Sequence, residues 1–140
     1  SLMPKKLFTI TPGETLAKAA GLMLKHNISA LPVTDPRGIL AGIISKGDIF
    51  RAFVSMSGIY QAELALGFEV EDRSGAIGEV TAVIRTHGGR IVSILSGYER
   101  SPKGFLEVFI RAKDVRDEEA LKKELESKFK ITYWIHDKVD

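Results

Sequence analysis

The segment GIISKGDI, residues 42–49, has several features of a phosphate-binding loop: an apolar run, two glycines, a lysine and a hydroxyl. A Walker motif ends in Gly-Lys-Ser/Thr, so that the lysine reaches the outer phosphates and the hydroxyl holds magnesium. Here Gly47 is followed by Asp48, a carboxylate where the phosphates would lie, and Lys46 precedes the glycine. The charge therefore argues against nucleotide hydrolysis.

Ser45 and Asp48 suit a different chemistry. Ser45 is predicted to end a strand and Asp48 to lie in the first turn of a helix, so the hydroxyl and the carboxylate converge on one side of the loop. An ionised carboxylate only accepts hydrogen bonds, which suits the vicinal hydroxyls of a sugar. The backbone N–H groups of the helix start and the charge of Lys46 favour a phosphate nearby. The alternative is that Asp48 only caps the helix and Ser45 is only a turn residue.

Catalytic and metal-binding patterns are not found in the sequence. The histidines His26, His87 and His136 are far apart, and none has a second ligand at the spacing that places two on one metal. We interpret all three as surface residues. Cysteine is absent, and no Gly-x-Ser-x-Gly elbow is present. We therefore predict no metal site, no required cofactor and no enzymatic activity.

Composition limits the partners. The 20 basic and 18 acidic residues give a net charge of +2, and the two signs are interspersed. A nucleic-acid binder that neutralises phosphates would need a basic face, so we expect no nucleic-acid partner. No apolar run approaches the length of about 18 residues that a membrane span needs, and no signal peptide is recognised. The expectation is a cytoplasmic protein without a membrane partner.

Ser45 and Asp48 lie where a predicted strand passes into a helix, and we call this place the Ser45–Asp48 corner. The elements that position it begin with a β-prone stretch, residues 7–10. From Leu16 the apolar residues recur at helical spacing, which predicts an amphipathic helix. Thr15 or Thr11 can cap its start, and Asn27 tolerates the left-handed conformation that ends a helix.

Two further strands and a helix complete a predicted β-α-β-β-α unit. Residues 30–34 and 39–45 form a hairpin around a turn at residues 35–38. A last helix opens at Asp48, and the boundary between two domains, 1–58 and 59–140, follows it. The apolar face of that helix comprises Ile49, Phe50, Phe53 and Val54.

The second half starts a pattern of its own, in which apolar residues alternate from Leu64 to Val70. The predicted order is βαββαβ, the split ferredoxin-like motif, so the whole chain is of the α+β class. Its later elements are a helix to Thr86, strands at 91–98 and 105–112, a helix at 117–129 and a strand at 131–135. The last helix carries three predicted charge pairs, Glu118/Lys122, Glu119/Lys123 and Glu124/Lys128.

Residues 3–55 resemble one CBS motif, through the helix after its threonine-proline entry, the strand ISALPV, the turn DPRG and the passage GIISKGD. In that family a Ser/Thr-x-x-Asp pattern contacts the ribose of a bound adenosine compound, which implies this role for Ser45 and Asp48. The resemblance implies AMP, ATP, S-adenosylmethionine or NAD as the ligand. It places the adenine contacts on Thr9, Ile10, Ser29, Ala30, Leu31 and Pro32.

CBS motifs resemble half-sites that work in pairs, and this sequence contains one. A unit of about 50 residues buries too little surface to be stable alone. The missing partner lies either upstream in a longer protein or in a second chain. Both routes predict a homodimer or a larger homo-oligomer.

Residues 60–137 resemble an ACT domain, with LGFEVEDRSGAIGEVTAVIRTHGGRIVSILS as the signature. In that family the loop after the first strand meets a neighbouring subunit and often binds an amino acid. The resemblance implies that role for Asp72, Arg73, Gly75, Ala76 and Ile77. Gly75 would let the backbone approach a ligand, and Arg73 could face a carboxylate. Dimer packing without any ligand is the open alternative.

The βαββαβ order is also that of the RNA-recognition motif, and KGFLEVFI, residues 103–110, starts like its third-strand consensus. However, Glu107 replaces a stacking aromatic, and Ala65 stands where a second ring is expected. RNA binding is therefore disfavoured. Phe105 and Phe109 are predicted to pack an exposed sheet face against another subunit.

The order CBS then ACT resembles the proteins grouped with the acetoin-utilisation regulator. The resemblance implies a non-enzymatic regulatory sensor, with an adenosine compound at the CBS half-site and dimerisation or amino-acid binding at the ACT half. A purely structural oligomerisation module without a ligand is the alternative.

Overall fold

The structure is a computed structural model that describes residues 15–139. The chain is α+β and divides into two compact units, one up to Phe53 and one from Val54. The predicted strand at residues 7–10, with Thr9 and Ile10, lies outside the described residues.

Helix α1, Leu16–His26, has the predicted caps at both ends. The Thr15 hydroxyl accepts a hydrogen bond from the Lys18 backbone N–H at 3.1 Å. Asn27 ends the helix in the left-handed conformation, with φ 51° and ψ 49°. The short polar side chain of asparagine tolerates this conformation, which explains where the helix stops.

Strands β1, Ala30–Thr34, and β2, Leu40–Ser45, form the predicted antiparallel hairpin. The carboxylate of Asp35 closes its turn by accepting the backbone N–H groups of Arg37 and Ile39, both at 2.9 Å. Such side-chain bonds to the backbone two to four residues ahead are why aspartate favours turns.

Helix α2, Lys46–Ser57, begins two residues before the predicted start at Asp48. The helix starts directly after Ser45, because the Ser45 side chain already satisfies an N–H of the first turn. None of the residues of α2 is fully buried. Among the described residues of the first unit, the buried core comprises Ala19, Met23 and Leu31.

The second unit confirms the predicted βαββαβ order. Its four strands form one antiparallel sheet in the order β4-β5-β3-β6. The elements are β3 Leu64–Glu71, α3 Ala76–Thr86, β4 Arg90–Gly97, β5 Phe105–Lys113, α4 Glu118–Lys128 and β6 Lys130–His136.

The core of the second unit lies on one face of this sheet. Alternate residues of β3 and β5 are buried there against α3 and α4, as the period of two predicts. Its fully buried side chains include Leu66, Phe68, Val108, Ile110, Leu121 and Leu125. This core contains more buried side chains than the described residues of the first unit provide.

The division into compact units falls inside α2, because the residues after Phe53 are attached to the second unit. The Ser93 hydroxyl donates to the Ser57 carbonyl at 2.6 Å. Gly58 is buried at φ 76°, and a Cβ there would come within 2.5 Å of Val92. Arg111 donates to the Ala62 carbonyl at 3.1 Å. Residues 57–62 are therefore fixed to β4 and β5.

Candidate functional site: a strand-to-helix corner and a loop

Ser45 and Asp48 form a reciprocal capping box where β2 passes into α2. The Asp48 backbone N–H donates to the Ser45 hydroxyl oxygen at 3.1 Å. In return, Oδ2 of Asp48 accepts the Ser45 backbone N–H at 2.8 Å and the Ser45 hydroxyl at 3.0 Å. The convergence of hydroxyl and carboxylate that the sequence predicts is therefore present. The hydrogen bonds of the capping box hold the hydroxyl and the carboxylate together.

Arg51 is the third member of this corner. Its guanidinium donates to Oδ1 of Asp48 at 2.6 Å. The backbone N–H of Ser45, then its hydroxyl and then Arg51 lower the pKa of Asp48, so this carboxylate is ionised at neutral pH. The sequence reasoning missed Arg51, although its spacing of three residues from Asp48 on a helix is a known pairing distance.

Other predicted nucleotide contacts lie beside the corner. The Lys46 backbone N–H donates to the Ser29 carbonyl at 2.9 Å, and Ala30 pairs with Ser45 across the hairpin. Leu31 differs, because its side chain is fully buried in the core of the first unit. Only its backbone can face a ligand. Pro32 is half-buried opposite Ile43, one step further along the hairpin.

An open apolar groove of about 320 Å³ runs between α1 and α2. Leu24 and Phe50, which line it, are 86% and 72% exposed. Phe53 and Ile43 are exposed as well. Exposed apolar surface of this kind is typical of interaction sites and ligand-binding grooves.

The loop after β3 holds Arg73 in ion pairs within the chain. Its guanidinium donates to Glu79 at 2.7 and 3.1 Å and to Glu71 at 3.0 Å. The predicted role of Arg73, to face a ligand carboxylate, would therefore require breaking these pairs. Asp72 accepts a long hydrogen bond of 3.4 Å from the Tyr98 hydroxyl.

The glycine of this loop has a left-handed backbone conformation. Gly75 has φ 86° and is exposed, with open space where a Cβ would be. Ala76 is buried and Ile77 packs partly buried against the core, so these two side chains support the fold. Of the five predicted loop residues, Asp72, Arg73 and Gly75 are exposed to solvent.

Two histidines are paired with glutamates from distant parts of the chain. Nε2 of His87 lies 3.0 Å from Glu124, and Nε2 of His136 lies 2.8 Å from Glu118. His87 is half-buried rather than on the surface, because α4 packs beside it. Within residues 15–139, no group of three or more potential ligands could hold a metal ion.

Family models match both halves of the chain. The model described as CBS domain matches residues 1–55, and the one described as ACT domain matches residues 65–129. The chain is a CBS domain followed by an ACT domain. CBS and ACT domains are regulatory, ligand-sensing modules, so both halves of the chain match modules of this kind.

Curated relatives match over shorter stretches. An uncharacterized protein of Methanocaldococcus jannaschii is 42% identical over 53 residues, 38% of this chain and 32% of that protein. The CBS domain-containing protein YhcV of Bacillus subtilis is 38% identical over 47 residues, 34% of this chain and 33% of that protein. The chain thus spans about a third of the length of these two relatives.

Among solved structures, a signal-transduction protein with CBS domains from Burkholderia ambifaria is similar over 39% of each chain. It is 31% identical there, with a TM-score of 0.36. Among the helices of the part of the chain that the structure describes, none is long and apolar enough to cross a membrane.

Proposed function

We propose that this protein is a non-catalytic sensor in which the Ser45–Asp48 corner of the CBS domain binds the ribose of an adenosine compound. The observation that carries this is the Asp48 carboxylate, which is fixed in place and ionised beside a strand edge. Candidate ligands are AMP, ATP, S-adenosylmethionine and NAD. In the same proposal, the ACT domain mediates homodimerisation and binds an amino acid.

The hydrogen-bond count of Asp48 leaves room for a ligand. A carboxylate offers about four lone-pair positions. Asp48 uses three of them, for the Ser45 N–H, the Ser45 hydroxyl and Arg51. The side chain is 44% exposed, so a ribose hydroxyl can reach a remaining position from solvent. The capping box holds the acceptor in place before the ligand arrives, which reduces the entropic cost of binding.

The partner that completes the half-site is, in this proposal, a second copy of the chain. The exposed apolar residues around the groove between α1 and α2 support it, because covering them would bury apolar surface that the described residues of this unit leave open. The open face of the ACT sheet, with Phe109 and Tyr133, offers a second apolar surface for the same dimer.

One observation favours a ligand-free alternative, an assembly module. The capping box alone explains why a serine and an aspartate stand at these two positions, since it satisfies N–H groups of the helix start. The two functions differ in what Asp48→Asn should do.

Calorimetric titration of the full chain with each of the four adenosine compounds distinguishes the ligand sensor from the assembly module. The matched control is Asp117→Asn, because Asp117 caps α4 through the Ala120 N–H at 3.1 Å and lies outside the corner. Asparagine keeps one acceptor for capping but loses the second. The proposal predicts binding heat with one of the four, at least tenfold weaker in Asp48→Asn and unchanged in Asp117→Asn.

Light scattering on the same samples reports the assembly. A dimer that gives no heat with any of the four compounds would leave the assembly module as the function. If the parent and Asp48→Asn bind an adenosine compound equally well, the ribose does not contact Asp48. A stable monomer would contradict the proposal that a second copy of the chain completes the half-site.

A further inference from the structure

Arg51 folds back over the first turn of its own helix, beside the carboxylate that is proposed to bind a ribose. Its Nη2 donates to Oδ1 of Asp48 at 2.6 Å. A Cβ built on Gly47 would lie 3.5 Å from Nη1 of Arg51 and 3.8 Å from Nη2. The guanidinium therefore lies against the start of α2 at Gly47, while the side chain as a whole is 74% exposed to solvent.

Most of the hydrogen-bond donors of Arg51 are unused. A guanidinium has five N–H donors. Within residues 15–139, the bond to Asp48 is the one hydrogen bond that this guanidinium makes. Arg73 of the ACT unit differs, because it donates three hydrogen bonds to two glutamates. The planar fork of arginine matches the oxygens of a phosphate, so the Nε and Nη1 donors of Arg51 are available for such a group.

The part of the chain that surrounds this corner is positively charged. Residues 15–57 contain five lysines and arginines and two aspartates, a net charge of +3 with histidine neutral. One of these aspartates, Asp35, is engaged by Arg37 at the hairpin turn. The other is Asp48 itself, and the exposed Lys46 stands two residues before it. The N-terminus of α2 adds about half a positive charge. The corner therefore favours a ligand that carries an anionic group.

The ion pair between Arg51 and Asp48 is inexpensive to open. The arginine side chain is 74% exposed and the aspartate 44%. Exposed pairs of this kind contribute little to stability. When Arg51 leaves, Oδ2 of Asp48 still accepts the backbone N–H and the hydroxyl of Ser45. Moving the guanidinium thus frees Oδ1 without loosening the capping box.

The two hydroxyls of a ribose need two acceptor positions. With Arg51 in place, three of the about four lone-pair positions of Asp48 are used. One hydroxyl can then bind. Without Arg51, two positions are open, and both hydroxyls can bind. A phosphate on the same sugar that draws the guanidinium away from Asp48 therefore strengthens the binding of the ribose as well as its own.

We propose that Arg51 is the specificity-determining residue of the Ser45–Asp48 corner: the phosphate of an adenosine nucleotide takes its guanidinium, and both ribose hydroxyls then bind Asp48. The proposal rests on the adenosine sensor proposed above and narrows its ligands to the phosphorylated ones, AMP, ATP and NAD. S-adenosylmethionine carries a positive sulfonium where these compounds carry a phosphate, so Arg51 and Lys46 disfavour it.

The test is calorimetric titration of the full chain with AMP, adenosine and S-adenosylmethionine. Adenosine is the matched ligand control, because it has the ribose hydroxyls and lacks the phosphate. Its affinity is measured by displacement of AMP where its own heat is small. The variants are Arg51→Ala and Arg51→Lys. Arg37→Ala is the matched control variant, since Arg37 also pairs with an aspartate, is 77% exposed and lies at the hairpin turn.

AMP should bind the parent at least tenfold more tightly than adenosine or S-adenosylmethionine does, which corresponds to about 1.4 kcal/mol or more. Arg51→Ala should weaken AMP at least tenfold. It should leave adenosine as tightly bound or tighter, because Oδ1 of Asp48 is then open. Arg51→Lys keeps the charge without the fork, so its affinity for AMP should lie between those of the parent and Arg51→Ala. Arg37→Ala should bind all three compounds as the parent does.

Two results would overturn the role of Arg51. One is equal affinity of the parent for AMP and adenosine. The other is a loss in Arg51→Ala that is the same for both compounds, because a residue that only holds Asp48 in place affects both alike. If Arg51→Ala unfolds, which its urea midpoint would reveal, Arg51→Lys still tests the ratio of the two affinities.

The adenosine sensor and the role of Arg51 fail in different ways. If neither AMP nor adenosine binds, both proposals are wrong. If both compounds bind with equal affinity, only the role of Arg51 is wrong. Asp48→Asn should weaken both compounds, whereas Arg51→Ala should weaken AMP alone.

Discussion

The ring of Tyr133 lies across Gly67 and stacks on Phe109, with ring centroids 6.1 Å apart and planes 27° apart. Gly67 is on the central strand β3, between the two strands that carry the rings. A Cβ on Gly67 would come within 2.5 Å of both Tyr133 and Thr132. The missing side chain is thus what allows the two rings to meet on the open face of the sheet.

Gly67→Ala should therefore destabilise the ACT unit, because the added methyl displaces Tyr133 and breaks the stack. Overpacking of this kind costs about 1–3 kcal/mol. Urea unfolding followed by the fluorescence of Trp134, the one tryptophan of the chain, measures it. Gly78→Ala is the matched control, since an exposed helical glycine with open space around it should gain up to about 1 kcal/mol. Equal midpoints for the two variants would contradict the explanation.

Gly58→Ala should destabilise more than Gly104→Ala does. Both glycines have positive φ, 76° and 89°, so both substitutions introduce backbone strain of about 1–2 kcal/mol. Only at Gly58 would the Cβ meet another atom, Val92 at 2.5 Å, whereas at Gly104 the space is open. The difference between the two unfolding free energies isolates the contact of Gly58 with Val92 of β4. If the two variants lose the same stability, that contact contributes nothing.

Arg111→Lys should loosen both ends of the ACT unit. The guanidinium, 13% exposed, donates to the Ala62 carbonyl and to the carbonyl and carboxylate of Asp137. Lysine cannot make three such bonds from one fork, and each charged hydrogen bond contributes about 1.5–3 kcal/mol. Hydrogen exchange of Ala62 and neighbouring amides should rise at least tenfold. Arg37→Lys, at an ion pair with Asp35 in which the arginine is 77% exposed, should change stability by less than about 1 kcal/mol.

Lowering the pH should weaken the contact that joins Glu124 of α4 to His87. The hydrogen bond from His87, and then that from Lys128, lower the pKa of Glu124 below its ordinary value of 4.5. A carboxyl whose pKa is lower in the folded state stabilises the fold above its unfolded pKa, and that stability is lost as the pH falls through the folded value. The urea midpoint should therefore drop as the pH falls below the ordinary value of 4.5. Glu124→Gln should show a smaller drop than the parent, while Glu126→Gln, on an exposed position of the same helix, should follow the parent.

Phe50→Asp should shift the protein toward monomer in light scattering, because it places a charge on the apolar surface proposed to meet a second copy. Phe50 is 72% exposed, so the substitution costs the isolated unit little core packing. Ser55→Asp adds the same charge at an exposed position on another side of α2. It should leave the mass unchanged. Equal masses for both variants and the parent would show that this surface is not the interface.

Local patterns predicted most of the described elements. The hairpin turn at Asp35, the caps Thr15 and Asn27 and the four strands of the second unit follow from residues close in sequence. Helix α2 begins two residues before the predicted start at Asp48. Aspartate is common at the N-cap, but Asp48 lies inside the first turn, where its carboxylate accepts the backbone N–H of Ser45. Of the three predicted charge pairs of α4, Glu124–Lys128 forms, while Glu118 pairs with His136 and Lys122 lies over the Trp134 ring.

The sequence by itself determined the α+β class and the convergence of Ser45 and Asp48, because periodicity, capping and turn chemistry act over a few residues. The CBS-then-ACT order followed from its resemblance to known families. Only the tertiary structure decided that Arg73 is already engaged by Glu71 and Glu79, and that a groove of mixed charge forms at the end of the sheet. Its members come from residues 69 to 130, and long-range packing alone brings such distant side chains together. The same reason explains Gly67 and Tyr133, which are 66 positions apart in the chain and in contact in the fold.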